Sequence, residues 1–328
     1  MRTMALANKL NNKKKIKKIF YITKENKPTV NKLKENNFEV LPIDPNLSYN
    51  EEIKEVKEII FKENVNMLLT DSYEINQSYL IEMRKSVNKL VTIHDYAPFA
   101  FPTHIVINGN AYAKEMVYKS YYGDTKFLLG LDYLILRDEF SNLSEICVRD
   151  KTKNILVTVG GYDFRNLTPK IINSLSSIQF KKIKDKYIDK ENLHIDVVIG
   201  PSFDNIDKIV KEVKKSNLDI SLNFNINKIS KLMINSDIAI SSGGSTLYEL
   251  FITKTPALVI LQADNQKLIA EFMEKNEFIN NLGYYNIDEK FNLKIKNFIE
   301  NKDKKYKTYD NFENILNQNI NRIIKEII

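Results

Sequence analysis

The sequence is short of the residues on which several classes of protein depend. Its single cysteine, Cys147, excludes a disulfide framework and a cysteine-based zinc site. It has no tryptophan and three histidines, and its apolar runs stop well short of the roughly 18–20 residues of a membrane span. A hydrophobic content of 43% excludes a disordered chain. The sequence therefore predicts a folded, cytoplasmic protein without stable membrane insertion.

Glycine is also scarce. The chain of 328 residues contains nine glycines, well under half the number expected from an average usage of about 7%. Two adjacent pairs, Gly160-Gly161 and Gly243-Gly244, account for four of them. Each pair follows a predicted strand, as do Gly109 and Gly200. Such positions indicate where the backbone turns sharply or approaches another group closely.

Short apolar runs alternate with longer amphipathic segments along the chain. The runs are rich in Ile, Val and Leu without polar alternation, which indicates parallel sheets covered on both faces. The predicted strands cover residues 19–23, 39–43, 67–70, 90–94, 105–108, 154–159, 194–199, 220–224, 238–241 and 256–261. The helices predicted between and after them include residues 51–63, 77–87, 169–177, 204–214, 227–235, 246–253, 266–276 and 310–328.

These elements predict an α/β fold with two Rossmann-like domains, each with a parallel sheet, and a ligand cleft between them. The N-terminal domain covers residues 1–140 and the C-terminal domain residues 150–305, with a C-terminal helix at 306–328. The polar stretch 138–152 is typical of a linker. The length also favours two domains.

The net charge is +7, from 49 basic and 42 acidic residues. An excess of this sign is compatible with an anionic partner such as a nucleic acid or a phosphorylated ligand. Most lysines are interspersed with acidic residues, and the lysine-rich run at 13–18 leads directly into a predicted strand. We interpret that run as a solvated helix end and predict no nucleic-acid partner.

The second glycine pair carries the most specific signal. The segment 236–250 reads SDIAISSGGSTLYEL, an apolar strand followed by a glycine turn and a helix. Glycines let a backbone approach a phosphate, and Ser245 or Thr246 is suited to cap the helix. Glu249 lies one turn further on and could accept hydrogen bonds from a ribose diol. The alternative is a tight structural turn with a surface glutamate, and the segment is neither a Walker loop nor a dinucleotide fingerprint.

At this point the sequence resembles a known family of the GT-B superfamily. Segment 236–250 and the blocks VTVGGYDFRNLT (157–168), ADNQ (263–266) and HDYAPFAFPTHIVINGN (94–110) resemble the UDP-2,4-diacetamido-2,4,6-trideoxy-β-L-altropyranose hydrolases of pseudaminic acid biosynthesis. The resemblance extends over nearly the whole chain. A more distant likeness is to the MurG-type N-acetylglucosaminyltransferases, which share the second glycine block.

The resemblance implies a UDP-sugar substrate, held mainly by the C-terminal domain without a cofactor or metal. It implies hydrolysis with inversion: water attacks the anomeric carbon, and UDP and a free diacetamido sugar are released. The residues that match the family's UDP-binding positions are Gly160, Gly161, Asp163, Gly243, Gly244, Ser245, Thr246, Glu249, Asn265 and Gln266. In the N-terminal domain, Asp71, Ser72 and Tyr73 match a segment near the sugar.

The family begins with a strand and a G-x-G-H-x-x-R-type loop whose histidine is the favoured base. Met1-Arg2-Thr3 matches the end of that loop, so the resemblance implies that the strand and the histidine would lie upstream of Met1. Either the start of the protein lies further upstream, or the chain is a truncated relative that lacks them. The remaining catalytic candidates are Asp71, Tyr73 and His94, since His94 follows a predicted strand and can act near neutral pH. We interpret the other two histidines, His104 and His194, as structural. We expect no nucleophilic role for Cys147, which has no histidine near it in the sequence.

Two alternatives to the hydrolase remain at this stage. A GT-B glycosyltransferase that serves spore-coat or envelope polysaccharide would use the same UDP site. A catalytically inactive relative would bind the UDP-sugar without turnover. The sequence leaves the identity of the sugar and the oligomeric state open.

Overall fold

The computed structural model describes residues 2–140, 143, 151–178, 188, 192–224, 226, 228–284, 290–300 and 313–328. Cys147 and most of the predicted linker lie outside these ranges. The chain divides into two compact units. The first unit consists of Met1–Asp138 and Asn314–Ile328, and the second of Glu139–Glu313.

The described elements follow one another as an alternation of strands and helices. The helices are α1 (Arg2–Asn11), α2 (Lys27–Glu35), α3 (Tyr49–Lys62), α4 (Gln77–Arg84), α5 (Leu167–Ser177), α6 (Ile206–Lys215), α7 (Ser230–Asn235), α8 (Thr246–Ile252), α9 (Lys267–Lys275), α10 (Lys290–Glu300) and α11 (Glu313–Ile327). The strands are β1 (Phe20–Lys24), β2 (Glu39–Ile43), β3 (Met67–Thr70), β4 (Lys89–Ile93), β5 (Ala100–Phe101), β6 (Ile105–Asn108), β7 (Lys119–Ser120), β8 (Lys126–Leu129), β9 (Asn154–Thr158), β10 (His194–Ile199), β11 (Asp219–Phe224), β12 (Ile238–Ser242), β13 (Ala257–Leu261) and β14 (Ile279–Tyr284).

Every strand expected from the apolar runs is present, with its ends displaced by at most one residue. The pattern does not predict the two-residue strands β5 and β7, nor β8 and β14. Strand β14 is an edge strand of sequence INNLGY, and its polar residues and glycine interrupt the apolar run. Polar side chains are tolerated at an edge because one side of the strand faces solvent.

In the first unit, strands β3, β4, β6 and β8 form a parallel sheet in the order β3-β4-β6-β8. Strands β1 and β2 form a separate parallel pair, and β5 pairs with β7. One apolar cluster includes Leu6 of α1, Ile107 of β6 and Ile323 of α11. A second includes Val56 of α3, Leu80 of α4 and Val106 of β6. The sheet therefore has helices on both faces, as its apolar strands predict.

The C-terminal helix belongs to the first unit. Ile320, Ile323, Ile324 and Ile327 are buried in the cluster that also contains Leu6. Lys89 donates a hydrogen bond to the carbonyl of Ile327 over 3.0 Å. The last helix thus packs on the sheet formed by the early part of the sequence, a non-local arrangement that its helical periodicity does not reveal.

The second unit is built on a six-stranded parallel sheet in the order β11-β10-β9-β12-β13-β14. The first strand of the unit, β9, lies in the middle and pairs with both β10 and β12. Chain order therefore runs outward in two directions from β9. This doubly wound arrangement has its topological switch point between β9 and β12.

Candidate functional site

The switch point of the second unit brings the two glycine pairs together. Strands β9 and β12 are direct neighbours, with Thr158 opposite Ser241 in the ladder. Gly160 follows β9 by two residues and Gly243 follows β12 directly. In doubly wound sheets, ligands bind outside the carboxyl ends of the strands at the switch point. The two loops that sequence analysis singled out separately therefore leave neighbouring strands at the same edge of the sheet.

Hydrogen bonds from neighbouring segments stabilise the first glycine loop, which follows β9 and carries Gly160-Gly161. The carbonyl oxygen of Val159 accepts hydrogen bonds from Ser242 Oγ at 2.8 Å and from Gln262 Nε2 at 3.0 Å. Gly160 has a φ of 95°, which residues with a Cβ rarely adopt. A Cβ on Gly200 would lie 2.5 Å from the carbonyl oxygen of Gly160. The loop thus needs glycine in its own backbone and in the neighbouring loop.

Gln266 fixes the second loop. Its side-chain oxygen accepts hydrogen bonds from the backbone N–H of Gly243 at 3.2 Å and of Gln262 at 2.8 Å. A Cβ on Gly243 would lie 2.7 Å from Leu261 Cδ2 and 2.9 Å from Gln266 Cβ. A Cβ on Gly244 would meet no atom within 4 Å. Gly243 is therefore required by packing, whereas the space beside Gly244 is open.

Asp163 has its carboxylate turned into the protein. It accepts hydrogen bonds from the backbone N–H of Leu167 at 2.7 Å and of Thr168 at 2.9 Å, and from Asn205 Nδ2 at 3.0 Å. The residue is 1% exposed. It caps the start of α5 from a position three residues before Asn166, which occupies the N-cap position. We therefore assign it to the shape of the loop and not to direct ligand contact.

The remaining predicted residues of the second loop differ in exposure. Ser245 is exposed and occupies the N-cap position of α8, but it makes no side-chain capping hydrogen bond. The expected cap is thus absent at Ser245. Thr246 is partly buried, and Glu249 in the first turn of α8 is 7% exposed. Asn265 is exposed directly before Gln266.

Sequence analysis missed Arg165 at the same edge. Its Nε donates a hydrogen bond to the carbonyl oxygen of Gln262 at 2.6 Å, and its guanidinium carbon lies 5.2 Å from the centre of the Phe164 ring. These contacts hold the guanidinium beside the loop after β13. A planar guanidinium suits bidentate contact with a phosphate. The available signal was an arginine five residues after Gly160, inside the conspicuous first loop.

The first unit has a charged cluster at the carboxyl ends of β3 and β4. Arg2 donates to Asp71 through Nη2 at 2.6 Å and Nε at 3.0 Å, and to Asp95 through Nη1 at 2.7 Å. Asp95 also accepts hydrogen bonds from the Tyr73 hydroxyl and from Asn110 Nδ2. We call these five residues the Arg2 cluster. It joins two of the three predicted catalytic residues, Asp71 and Tyr73.

The protonation states of the cluster follow from its contacts. Burial opposes ionisation of Asp95, but Arg2 and the hydrogen bonds from Tyr73 and Asn110 outweigh it and lower the pKa of the carboxyl group. Burial and the charge of Asp95 raise the pKa of the Tyr73 phenol. Tyr73 is therefore a hydrogen-bond donor at neutral pH, and its side chain remains 59% exposed.

His94, the third candidate, lies next to this cluster but is packed among aromatic rings. It is 7% exposed, and its ring centre lies 5.6 Å from that of Phe101 and 6.4 Å from that of Tyr73. Its Nδ1 lies 3.0 Å from the carbonyl oxygen of Tyr96. Burial lowers the pKa of His94, so the ring is neutral at pH 7.

The other two histidines make contacts between neighbouring strands. His104 accepts a hydrogen bond from the Leu90 backbone N–H at Nδ1 over 2.9 Å. His194 starts β10 in the second unit and pairs with Asp219 at 2.7 Å. Both contacts tie a strand end to its neighbour, which is a structural role.

The described residues contain neither a metal-binding cluster nor a membrane-spanning helix. In those parts of the chain, no group of three or more His, Cys, Asp or Glu side chains is placed to hold a metal ion. None of the helices described there is long and apolar enough to cross a membrane.

The chain is similar in sequence to several known proteins, with identities between 25% and 29%. The chain is 29% identical over 276 residues to an uncharacterised protein of Methanocaldococcus jannaschii, covering 81% of this chain and 53% of the relative. It is 29% identical over 150 residues to the spore coat polysaccharide biosynthesis protein SpsG of Bacillus subtilis, covering 45% of this chain and 41% of that protein. No family model matches the chain.

A third relative comes from Helicobacter pylori and is a pseudaminic acid cytidylyltransferase and UDP-2,4-diacetamido-2,4,6-trideoxy-beta-L-altropyranose hydrolase. The identity is 25% over 203 residues, covering 61% of this chain and 35% of the relative. The chain thus spans between about a third and about half of the length of these three relatives.

Solved structures resemble the whole chain. MurG of Acinetobacter baumannii superposes with a TM-score of 0.67 at 12% identity, covering 99% of this chain and 94% of that one. The chain has the GT-B fold. A UDP-GlcNAc 2-epimerase from Neisseria meningitidis, bound to UDP-GlcNAc, superposes with a TM-score of 0.59 at 14% identity, covering 99% of this chain and 95% of that one. At these identities the likeness concerns the GT-B fold alone.

Proposed function

We propose that the chain is a nucleotide-sugar enzyme of surface polysaccharide biosynthesis, and that its second unit binds the UDP moiety at the β9–β12 switch point. The observation that carries this proposal is the position of Gly160-Gly161 and Gly243-Gly244 after two neighbouring strands, at the same edge of the sheet. Two of the three curated relatives described above are polysaccharide or nonulosonic acid biosynthesis proteins. The GT-B fold is compatible with this assignment.

In the proposed complex, the diphosphate lies over the two glycine loops. Backbone N–H groups of the open positions Gly161 and Gly244 can approach the phosphate oxygens because no side chain stands in the way. The exposed hydroxyl of Ser245 and the guanidinium of Arg165 supply further donors. Gly243 and Gln266 stabilise the second glycine loop, and Asp163 stabilises the first. Preformed donors of this kind stabilise the charge that develops on a departing diphosphate.

The remaining candidate residues of the second unit are assigned to the ribose, the phosphates and the sugar. Glu249 is the carboxylate for the ribose hydroxyls, and Thr246 and Asn265 are further polar contacts for the phosphates or the sugar. These roles follow the family resemblance, residue by residue. Glu249 is 7% exposed, so a ribose would meet a carboxylate largely removed from water, where charge-assisted hydrogen bonds are stronger than in solution.

We propose hydrolysis as the reaction. A water oxygen forms a bond to the anomeric carbon while the bond from that carbon to the phosphate oxygen breaks, and UDP leaves with the bonding electrons. The proton of the water passes to a base. Asp71, Tyr73 and His94 of the first unit are the catalytic candidates of the sequence analysis, and of these the neutral His94 is able to accept a proton.

Release of UDP from UDP-2,4-diacetamido-2,4,6-trideoxy-β-L-altropyranose without an acceptor tests this reaction. We expect stoichiometric UDP and free sugar, and slower release by Tyr73→Phe, which lacks the donor hydroxyl. Tyr121→Phe is the matched control, since Tyr121 is also an exposed tyrosine of the first unit. UDP release that requires an added acceptor would contradict hydrolysis.

Glycosyl transfer is the second candidate. The 29% identity to a spore coat polysaccharide biosynthesis protein favours it, and so does the resemblance of the second glycine block to the MurG-type enzymes. A transferase would bind UDP at the same place in the second unit. The acceptor dependence of UDP release therefore distinguishes the two reactions, while UDP binding without any release would identify an inactive relative.

A further inference from the structure

Exposed apolar side chains of the second unit are concentrated at one edge of its sheet. The described residues of this unit include six large apolar side chains that are exposed. Five of the six lie between the last residue of a strand and the first residue of the next helix, both included, and the other is Leu293 on α10. These five are Tyr162, Phe164, Ile206, Phe224 and Tyr284. Apolar exposure at the edge where a doubly wound sheet binds ligands indicates contact with a ligand.

Two of these side chains are stacked directly beside the first glycine loop. Tyr162 follows Gly161 in the sequence, and Phe164 lies two residues further on. Their ring centres are 6.3 Å apart, with 25° between the ring planes, and each residue is 46% exposed. A single exposed ring is ordinary, whereas two stacked rings present a continuous apolar surface to solvent. We call Tyr162 and Phe164 the aromatic pair.

The loop after β10 fixes the aromatic pair from one side. The Tyr162 hydroxyl donates a hydrogen bond to Asp204 Oδ2 at 3.1 Å. Asn205 donates through Nδ2 to the carboxylate of Asp163 at 3.0 Å, and Asp163 lies between the two aromatic residues in the sequence. The backbone that carries both rings is therefore tied to a neighbouring loop at two successive residues.

Arg165 fixes Phe164 from the other side. Its guanidinium carbon lies 5.2 Å from the centre of the Phe164 ring, and its Nε donates to the carbonyl of Gln262, after β13, at 2.6 Å. A cation over an aromatic face is attracted to the ring. The aromatic pair is thus positioned before a ligand arrives, which lowers the entropy that binding costs.

The proposed position of the nucleotide determines which part of the ligand the aromatic pair meets. The ribose is assigned to Glu249, in the helix that follows the second glycine loop. The diphosphate extends from there to the first glycine loop, which leaves the neighbouring strand at the same edge. The sugar is attached to the far end of the diphosphate. It therefore comes to lie beside the residues that follow Gly161, which are those of the aromatic pair.

The chemistry of the two rings restricts the kind of sugar. A hydroxyl group that packs on an aromatic face loses hydrogen bonds to water, and the ring offers no comparable acceptor in return. A methyl group loses no hydrogen bond there, and its contact removes apolar surface of both partners from water. Such methyl groups occur on acetamido substituents and at the deoxygenated end of a 6-deoxy sugar. The aromatic pair therefore favours a sugar in which these groups replace hydroxyls.

We propose that Tyr162 and Phe164 form a sugar subsite of the second unit, and that they select UDP-sugars in which acetamido and methyl groups replace hydroxyls. This inference rests on the proposed function, from which it takes the position of UDP. The rings pack against the apolar face of the sugar and make little contact with UDP. The aromatic pair thus contributes to the affinity for the whole UDP-sugar and to the choice among sugars, but not to the affinity for UDP alone.

Calorimetry with the 328-residue chain and three ligands tests the subsite. The ligands are UDP and two UDP-sugar analogues in which CH₂ replaces the anomeric oxygen, so that neither can be hydrolysed. One analogue carries the 2,4-diacetamido-2,4,6-trideoxy-β-L-altropyranose sugar and the other carries glucose. We expect the wild type to bind the diacetamido analogue at least about fivefold more tightly than the glucose analogue. Equal affinity for the two analogues would overturn the proposed selection.

Variants of the aromatic pair locate the contact. Tyr162→Ala and Phe164→Ala should each weaken binding of the diacetamido analogue at least about fivefold and change the Kd of UDP by less than about twofold. Tyr162→Phe keeps the ring and should restore most of the affinity lost in Tyr162→Ala. Leu293→Ala is the matched control, since Leu293 is an exposed apolar residue of the same unit away from this edge, and it should bind all three ligands like the wild type.

The remaining outcomes separate this inference from the proposed function. Normal binding of both UDP and the diacetamido analogue by the two alanine variants would overturn the subsite and leave the UDP site intact. Equal losses for UDP and the analogue would also overturn it, because the rings would then contact the nucleotide. Failure of Tyr162→Phe to restore affinity would assign the effect to the hydrogen bond with Asp204 and contradict ring contact. No UDP binding by the wild type would overturn the proposed function and this inference with it.

Discussion

The side-chain oxygen of Gln266 lies 3.2 Å from the backbone nitrogen of Gly243 and accepts its hydrogen bond. The same oxygen accepts the backbone N–H of Gln262 at 2.8 Å. One amide side chain thus joins the ends of β12 and β13 at the carboxyl edge of the second sheet. The conformation of the second glycine loop depends on this contact, and so does the proposed diphosphate site.

Gln266→Ala should weaken UDP binding and lower the free energy of unfolding by about 1–3 kcal/mol, because two largely buried N–H groups lose their acceptor. Isothermal titration calorimetry with UDP and chemical denaturation measure the two effects. Asn276→Ala is the control, since Asn276 is an exposed amide residue at the other end of α9. Wild-type affinity and stability in Gln266→Ala would contradict the role of Gln266.

Glu249→Ala should weaken UDP binding by about 1.5–3 kcal/mol, since it removes charge-assisted hydrogen bonds to the ribose. The corresponding increase in Kd is about ten- to 150-fold. Calorimetry with UDP measures it, and titration with inorganic pyrophosphate should show no comparable loss. Glu271→Ala, at an exposed glutamate on α9, should bind UDP like the wild type. Unchanged UDP affinity in Glu249→Ala would refute the ribose assignment.

Gly200→Ala should destabilise the second unit. The added Cβ would lie 2.5 Å from the carbonyl oxygen of Gly160 and 2.6 Å from that of Gly161, and neither backbone group can yield without moving the first glycine loop. We expect the free energy of unfolding to fall by about 1–3 kcal/mol. Gly161→Ala is the matched control, because its Cβ would meet no atom within 4 Å, and its stability should change by less than about 0.5 kcal/mol.

The pKa of His94 should lie below that of an ordinary histidine, and the pKa of His194 should lie above it. Burial lowers the pKa of His94. Burial also disfavours the charged form of His194, but Asp219 and Asp196 outweigh it and raise the pKa of that ring. NMR titration of the three imidazoles measures both values. Asp219→Asn should lower the pKa of His194 and leave that of His94 unchanged, and identical pKa values for the two rings would contradict the structure.

These shifts fix the sign of the pH dependence of stability. The contribution of His194 is fully present below the ordinary histidine pKa and is lost as the pH rises through its raised value in the folded state. The contribution of His94 is present above the ordinary value and is lost as the pH falls through its lowered one.

The strands and the switch-point loops could be predicted from the sequence because their signals are local. An apolar run such as Ile238–Ile240 indicates a buried parallel strand, and a glycine pair shortly after it indicates the edge where a ligand would bind. The roles of particular side chains were harder to predict. The sequence analysis assigns Asp163 to UDP binding, yet its carboxylate oxygens accept hydrogen bonds from backbone N–H groups of α5.

The features that the sequence did not predict depend on contacts between residues far apart in the chain. The pairing of Arg2 with Asp71 and Asp95 spans 69 and 93 residues of sequence, and no local pattern encodes it. The same holds for α11, whose helical periodicity is clear in the sequence although its packing against α1 and β6 is not. Arg165 was missed because a single arginine in a polar loop is unremarkable until its hydrogen bond to Gln262 is seen.

The most direct test of the account is an NMR titration of the ¹⁵N-labelled chain with UDP. With nine glycines in the sequence, each glycine amide can be followed separately. We predict that the amides of Gly160, Gly161, Gly243 and Gly244 shift together as UDP binds, while those of Gly109 and Gly123 in the first unit do not. Shifts confined to the first unit, or no shift at millimolar UDP, would contradict the assignment of the nucleotide to the β9–β12 switch point.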